Sequence, residues 1–219
     1  TSAEALHLWQ YGQASAAVVC ATDKPASNAF PLRSIPYVLV GPVMSSEGEI
    51  SPQELRSIYA GADSDWQAVV CGDGMSEALL LGLDRVAPTL PCYDTPEMVL
   101  EHVASSERAL ALLPWESVDF RVRTIPIGEH RLWREASGEY PYTLSWWLVG
   151  DPRENLRREL CDGLFCSVQE PVSLAAVGDI MLARYVGELI AKNSPTFPFE
   201  NEATRSILAG ADIAFGNLE

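Results

Sequence analysis

The chain reads as an α/β protein in two parts, and three observations predict this. Helical and strand-like hydrophobic patterns alternate along all 219 residues. Hydrophobic residues make up 47% and charged residues 21%, the proportions of a chain that buries a core. A nearly continuous apolar run, Val172–Val177, follows the linker-like Gln169-Glu170-Pro171 and has the character of a buried central strand. The expected division is a domain over 1–168, a linker at 169–171 and the start of a second domain at 172–219.

Each element has its own reason. Ala3–Tyr11 carries Ala5, Leu6, Leu8 and Trp9 at helical spacing, and Gly12 closes it. Ala16–Cys20 is a buried strand; Tyr37–Val40 is a second, stopped by Gly41-Pro42. Ser51 is a good N-cap, Pro52 fits the first helical position and Glu54 completes a capping box. Leu55, Ile58 and Tyr59 then form one face, Gly61 stops the helix and Trp66 falls in a loop. Met75–Gly82 and Asp94–Ser105 are helices, the latter capped by Asp94 or Thr95 with Met98, Val99, His102 and Val103 on one side. Ala109–Leu113, Val122–Ile127 and Tyr142–Val149 are strands, and Pro152–Cys161 is a polar helix. After Val172–Val177, Gly178-Asp179 turns the chain into helices Ile180–Lys192 and Glu200–Ala209 and the strand Ile213–Phe215. That β-α-α-β order predicts a parallel sheet with a crossover.

Charge narrows the function. Thirty acidic residues against fifteen basic ones leave −15, which repels phosphate backbones and argues against a nucleic-acid partner. No apolar run reaches the ~18 residues of a membrane helix. The five cysteines, Cys20, Cys71, Cys92, Cys161 and Cys166, show no zinc spacing; a Cys161–Cys166 disulfide stays open. The chain starts on Thr1 and ends right after a strand-like run, so an internal fragment of a longer protein is expected.

One loop fits an anion cradle, Gly72-Asp73-Gly74-Met75-Ser76, just ahead of a helix. Gly72, Gly74 and Ser76 are its candidate binding residues. The alternative is a plain turn with a helix cap, and Asp73 would repel an anion. Trp115, Trp133, Trp146 and Trp147 could line a cleft or pack the core. His7, His102 and His130 are scattered and read as structural.

Two resemblances extend this reading. Leu55, Arg56, Ile58, Gly61 and Trp66 resemble a marker of type II periplasmic solute-binding proteins, above all the phosphate-binding kind. Arg108–Glu116, Val122–Ile127 and Tyr140–Leu144 resemble that fold's returning and closing strands. The resemblance covers roughly 1–150 and implies a type II binding-protein-like α/β domain, incomplete at its N-terminus, that takes a small solute.

Ala175–Arg184, Phe197-Pro198-Phe199-Glu200 and Ile213–Glu219 resemble the opening of the CapA family of poly-gamma-glutamate capsule-synthesis proteins, which are similar to calcineurin-like metallophosphatases. Leu113-Pro114-Trp115 is similar to the binding-protein-like domain fused ahead of some of them. This resemblance implies the first β-α-α-β unit of a metallophosphatase-like α/β sandwich. Asp179 would be a ligand of a divalent metal (Mn, Mg or Ca), Asn217 a ligand or a phosphate contact, and Glu219 a ligand or a carboxylate supporting one, while Arg184 could bind a phosphate or carboxylate. The full-length protein would be a metal-dependent phosphoesterase-like hydrolase of capsule or cell-surface polymer synthesis. It would act outside the cytoplasm on a small-molecule or polymer substrate, with any membrane association carried by regions beyond the fragment. Met181 replaces the expected motif histidine, so the fragment itself would lack a complete site. Asp179 as a helix N-cap is the alternative for that residue. For the whole, the alternative is an extracytoplasmic solute-binding module, for phosphate or another small anion, without catalysis.

Overall fold

A computed structural model describes residues 2–45, 48–132, 139–150, 172–180, 184–193 and 201–218. The chain divides into two units, Thr1–Gln169 and Glu170–Glu219. The first begins with helix α1 (Ser2–Gln10), strand β1 (Ala16–Ala21) and a 13-residue strand β2 (Phe30–Pro42). Helix α2 (Pro52–Tyr59) follows, with Ser51 Oγ accepting the Glu54 N–H at 3.2 Å and Leu55, Ile58 and Tyr59 buried. Then come β3 (Gln67–Cys71), α3 (Met75–Leu81), a two-residue β4 (Cys92–Tyr93) and α4 (Pro96–Ser105). Thr95 caps α4, and Val99, Leu100 and Val103 face inward, while Met98 points out. Strands β5 (Ala109–Pro114), β6 (Val122–Ile125) and β7 (Thr143–Gly150) complete the unit.

These strands form one seven-stranded sheet in the order β1-β7-β2-β5-β3-β4, with β6 also on β2. Strand β2 links the two halves. Phe30–Pro36 pairs with β7, and Tyr37–Pro42 pairs with β5 and β6, all antiparallel. Beyond β5 the pairing turns parallel, β3 lying between β5 and β4. Strand β3 was not expected from the sequence, where its five residues pass as a loop after Trp66. Short buried parallel strands carry no alternation to give them away. The expected strand Tyr37–Val40 is the second half of a much longer β2.

The main core packs Leu39, Val40, Leu110, Leu112 and Leu113 against Leu55, Tyr59, Leu100 and Val103. A smaller cluster, Val19, Ala29 and Val149, is covered by Ala5, Leu6 and Trp9 of α1. Tyr59 is fully buried, yet its hydroxyl donates to the Val69 carbonyl at 3.2 Å and accepts the Leu112 N–H at 2.9 Å. It thereby ties α2 to both parallel strands and leaves its polar atom satisfied.

The second unit holds β8 (Leu174–Ile180), α5 (Arg184–Lys192), α6 (Glu202–Gly210) and β9 (Ile213–Leu218). The two strands pair in parallel from Leu174↔Ile213 to Ile180↔Leu218, with a register shift between Val177 and Asp179. Strand β8 therefore runs through Gly178-Asp179 where a turn was expected. Asp212 accepts both the Ser173 N–H and its hydroxyl at 2.8 Å, which holds that carboxyl below its ordinary range. The expected helix Pro152–Cys161, the linker, Trp133, Cys161, Cys166, Phe197–Glu200 and Glu219 lie outside the described residues. No helix among the described residues is long and apolar enough to cross a membrane.

Candidate functional site

The Gly72–Ser76 turn sits at the C-terminal end of the parallel strand β3, the edge where open α/β sheets present ligands. Gly72 and Gly74 both have φ near +72°, left-handed values that glycine adopts without strain. Gly74 is fixed twice over, because a Cβ there would also collide with the Val86 side chain. Asp73 Oδ1 accepts the Met75 N–H at 2.9 Å, and the Gly72 N–H donates to the Tyr93 carbonyl at 2.8 Å. The Cys92 thiol donates to the Gly72 carbonyl.

Strand β2 brings a second wall. The Tyr37 hydroxyl donates to Ser76 Oγ at 3.3 Å, across 39 residues of sequence. Beneath them lies Glu77, a carboxylic acid only 1% exposed. Its Oε1 accepts the Cys71 N–H at 2.9 Å, and its Oε2 has no partner. Burial pushes the Glu77 carboxyl above its ordinary range, opposed by the hydrogen bonds from the Cys71 and Glu77 amides and reinforced by the Asp73 charge. Burial likewise raises the Cys20 and Cys71 thiols and the Tyr37 and Tyr59 phenols. Near neutral pH these two thiols and two phenols therefore carry no charge.

The loop residues Gly72, Gly74 and Ser76 thus stand together, joined by Tyr37 and Glu77, which the sequence did not disclose. The one available hint was a lone acid in the otherwise apolar helix Met75-Ser76-Glu77-Ala78-Leu79-Leu80-Leu81. Asp179 and Asn217 are register partners on β8 and β9, and Arg184 opens α5. Among the described residues, no three of His, Cys, Asp and Glu are grouped closely enough to hold a metal ion. Trp147 packs in the small cluster under α1, and Trp115 against the main core. His102 Nδ1 shares a 2.8 Å hydrogen bond with the Tyr93 hydroxyl, and His7 stacks on Tyr11, so both have structural contacts.

A groove of about 940 Å³ opens at the other edge, where β3 and β5 begin. Its wall carries Glu49, Glu54, Asp63, Asp65 and Glu107 against Arg108 and Arg121. Arg108 is paired with Asp65 at 3.1 Å, and Arg121 is held by Glu97 and Asp119 at 2.7 Å each. Despite its size, that groove has the wrong sign for an anion, five acids against two paired arginines, which leaves the turn as the candidate.

No family model matches the chain, and no curated protein does. The structure is similar to solved structures of an ABC-type phosphate transport receptor from Vibrio cholerae, at TM-score 0.60 and 18% identity over 74% of this chain and 80% of that one. It is also similar to PstS from Borrelia burgdorferi, at TM-score 0.53 and 8% identity over 73% and 76%. A possible phosphate binding protein from Planctomyces limnophilus gives TM-score 0.53 and 11% identity over 65% and 66%. At such identities the likeness shows the fold, a mixed α/β arrangement of the type II binding-protein kind. It corrects the expectation of a CapA-type, metallophosphatase-like capsule-synthesis protein, since these structures and no such family are what the chain matches. The physical source of that misreading is plain. A Gly-Asp after an apolar run and a β-α-α-β order suit many α/β folds, and among the described residues the second unit shows a two-stranded parallel sheet. The metal roles of Asp179, Asn217 and Glu219, and the phosphate role of Arg184, were expectations drawn with that resemblance, and Glu219 lies outside the described residues.

Proposed function

We propose that the Thr1–Gln169 unit is a solute-binding module for a small anion, with inorganic phosphate as the first ligand to test, acting outside the cytoplasm and without catalysis. The observation that carries this reading is the Gly72–Ser76 turn at the β3 edge, in a fold shared with solved phosphate-binding proteins. Two left-handed glycines shape the turn, and the Tyr37 and Ser76 hydroxyls add neutral hydrogen-bond groups beside it. The Cys71 thiol and the Tyr37 phenol stay uncharged, so an anion entering the turn meets chiefly Asp73, which is exposed and screened by solvent.

Isothermal titration calorimetry of the full chain with phosphate, sulfate and a neutral sugar tests this. Saturable heat with an oxyanion and none with the sugar is the expected result. A melting shift should accompany it, equivalent to about 2.7 kcal/mol at a hundredfold excess over Kd. No heat and no melting shift with any anion sinks the reading. Tyr37→Phe and Ser76→Ala should each weaken binding by roughly fivefold, the effect of losing one hydrogen bond of about 1 kcal/mol.

A further inference from the structure

We propose that Glu77 is the positioning residue of the β3–α3 turn: its uncharged carboxyl ties the end of β3 to the first turn of α3, and its ionisation at higher pH loosens that tie and turns an anion away. The regulatory half of this rests on the anion-site reading of Gly72–Ser76; the structural half does not.

The geometry is that of a clamp. Cys71 is the last residue of β3 and Glu77 lies in the first turns of α3, with the five-residue turn between them. The 2.9 Å bond from the Cys71 N–H to Glu77 Oε1 closes that turn from beneath. The carboxyl is 1% exposed and its Oε2 is buried without a partner. A neutral carboxyl tolerates this, because only one weak polar atom is left unmet. A carboxylate does not, because a buried charge with half its hydrogen bonds missing is strongly disfavoured. The groups that face it offer no relief. They are Asp73 from the turn, Tyr37 from β2, Cys71 from β3 and Tyr59 from α2, each negative or uncharged. Ionisation therefore favours a loosened turn that lets water reach Oε2. It also places a negative charge directly behind the anion's seat.

The sign follows from the raised carboxyl. The folded state holds the Glu77 proton more tightly than the unfolded chain does. Its stabilising contribution is complete below the ordinary Glu value of about 4.3 and is lost as pH climbs through the higher folded value.

The test compares the full-length wild type with Glu77→Gln, the uncharged isostere, between about pH 5 and pH 9, the range in which buried carboxyls titrate. Urea unfolding should show wild-type stability falling with pH relative to the variant, whose turn stays clamped. Phosphate affinity, as the wild-type to variant ratio, should fall on the order of tenfold over that range, the effect of a like charge nearby. Taking the ratio removes phosphate's own titration. Parallel pH profiles for the two proteins would overturn the proposal. If neither binds phosphate at any pH, the anion-site reading falls, and the stability profiles alone decide the clamp. Should Glu77→Gln fail to fold, infrared spectroscopy of the wild type decides it. A protonated carboxyl band surviving above roughly pH 6 supports the clamp, and its loss at ordinary Glu values refutes it.

Discussion

Single residues hold this site by contacts that cross the sequence. Tyr59 shows the scale of such effects. Tyr59→Phe leaves the Leu112 N–H and the Val69 carbonyl facing a buried ring edge in place of a hydroxyl. Two lost partners in the core should cost about 1–3 kcal/mol, read as a lower urea midpoint with an unchanged slope. Gly74→Ala should cost at least about 1–2 kcal/mol from the left-handed backbone alone, plus the displacement of Val86. Legibility at this scale was uneven. Gly72, Gly74 and Ser76 could be read as a turn ahead of a helix because turn chemistry is local. Tyr37 and Glu77 could not, because their roles exist only once β2 lies beside α3 and the carboxyl is buried.

Elements with local signals were readable, and those defined by pairing were not. The Ser51-Pro52-Gln53-Glu54 start of α2 stands where the cap chemistry puts it, and Ser51→Ala should cost about 1 kcal/mol in the same unfolding experiment. Strand β3, by contrast, is a strand because β5 and β4 supply hydrogen bonds on both sides. Its Ala68, Val69 and Val70 are buried on both faces, so no alternation marks them. In the second unit, the apolar run at Val172–Val177 did form a parallel strand with Ile213–Leu218, but the strand continues through Gly178-Asp179. A glycine and an aspartate are ordinary turn formers, and here the parallel pairing with Asn217 overrides that local preference. Leu174, Ile213 and Phe215 remain more than half exposed on this two-stranded sheet.

At the scale of the whole molecule, the net charge of −15 acts against compaction. Raising sodium chloride from low to moderate concentration should therefore increase the urea midpoint, until screening is complete. A midpoint that falls steadily with salt would mean that local ion pairs such as Arg121 with Glu97 and Asp119 outweigh the overall repulsion. Strand β2 carries a different consequence. It changes partners within a single step, Pro36 standing opposite Thr143 and Tyr37 opposite Pro114. Proline has no N–H to give, so Pro36 leaves the strand one donor short at this change of partner. Flexing of one half of the sheet against the other would meet that missing donor as a weak spot. The next side chain is Tyr37, whose hydroxyl reaches Ser76, so the strand works as a lever with its short arm resting on the turn.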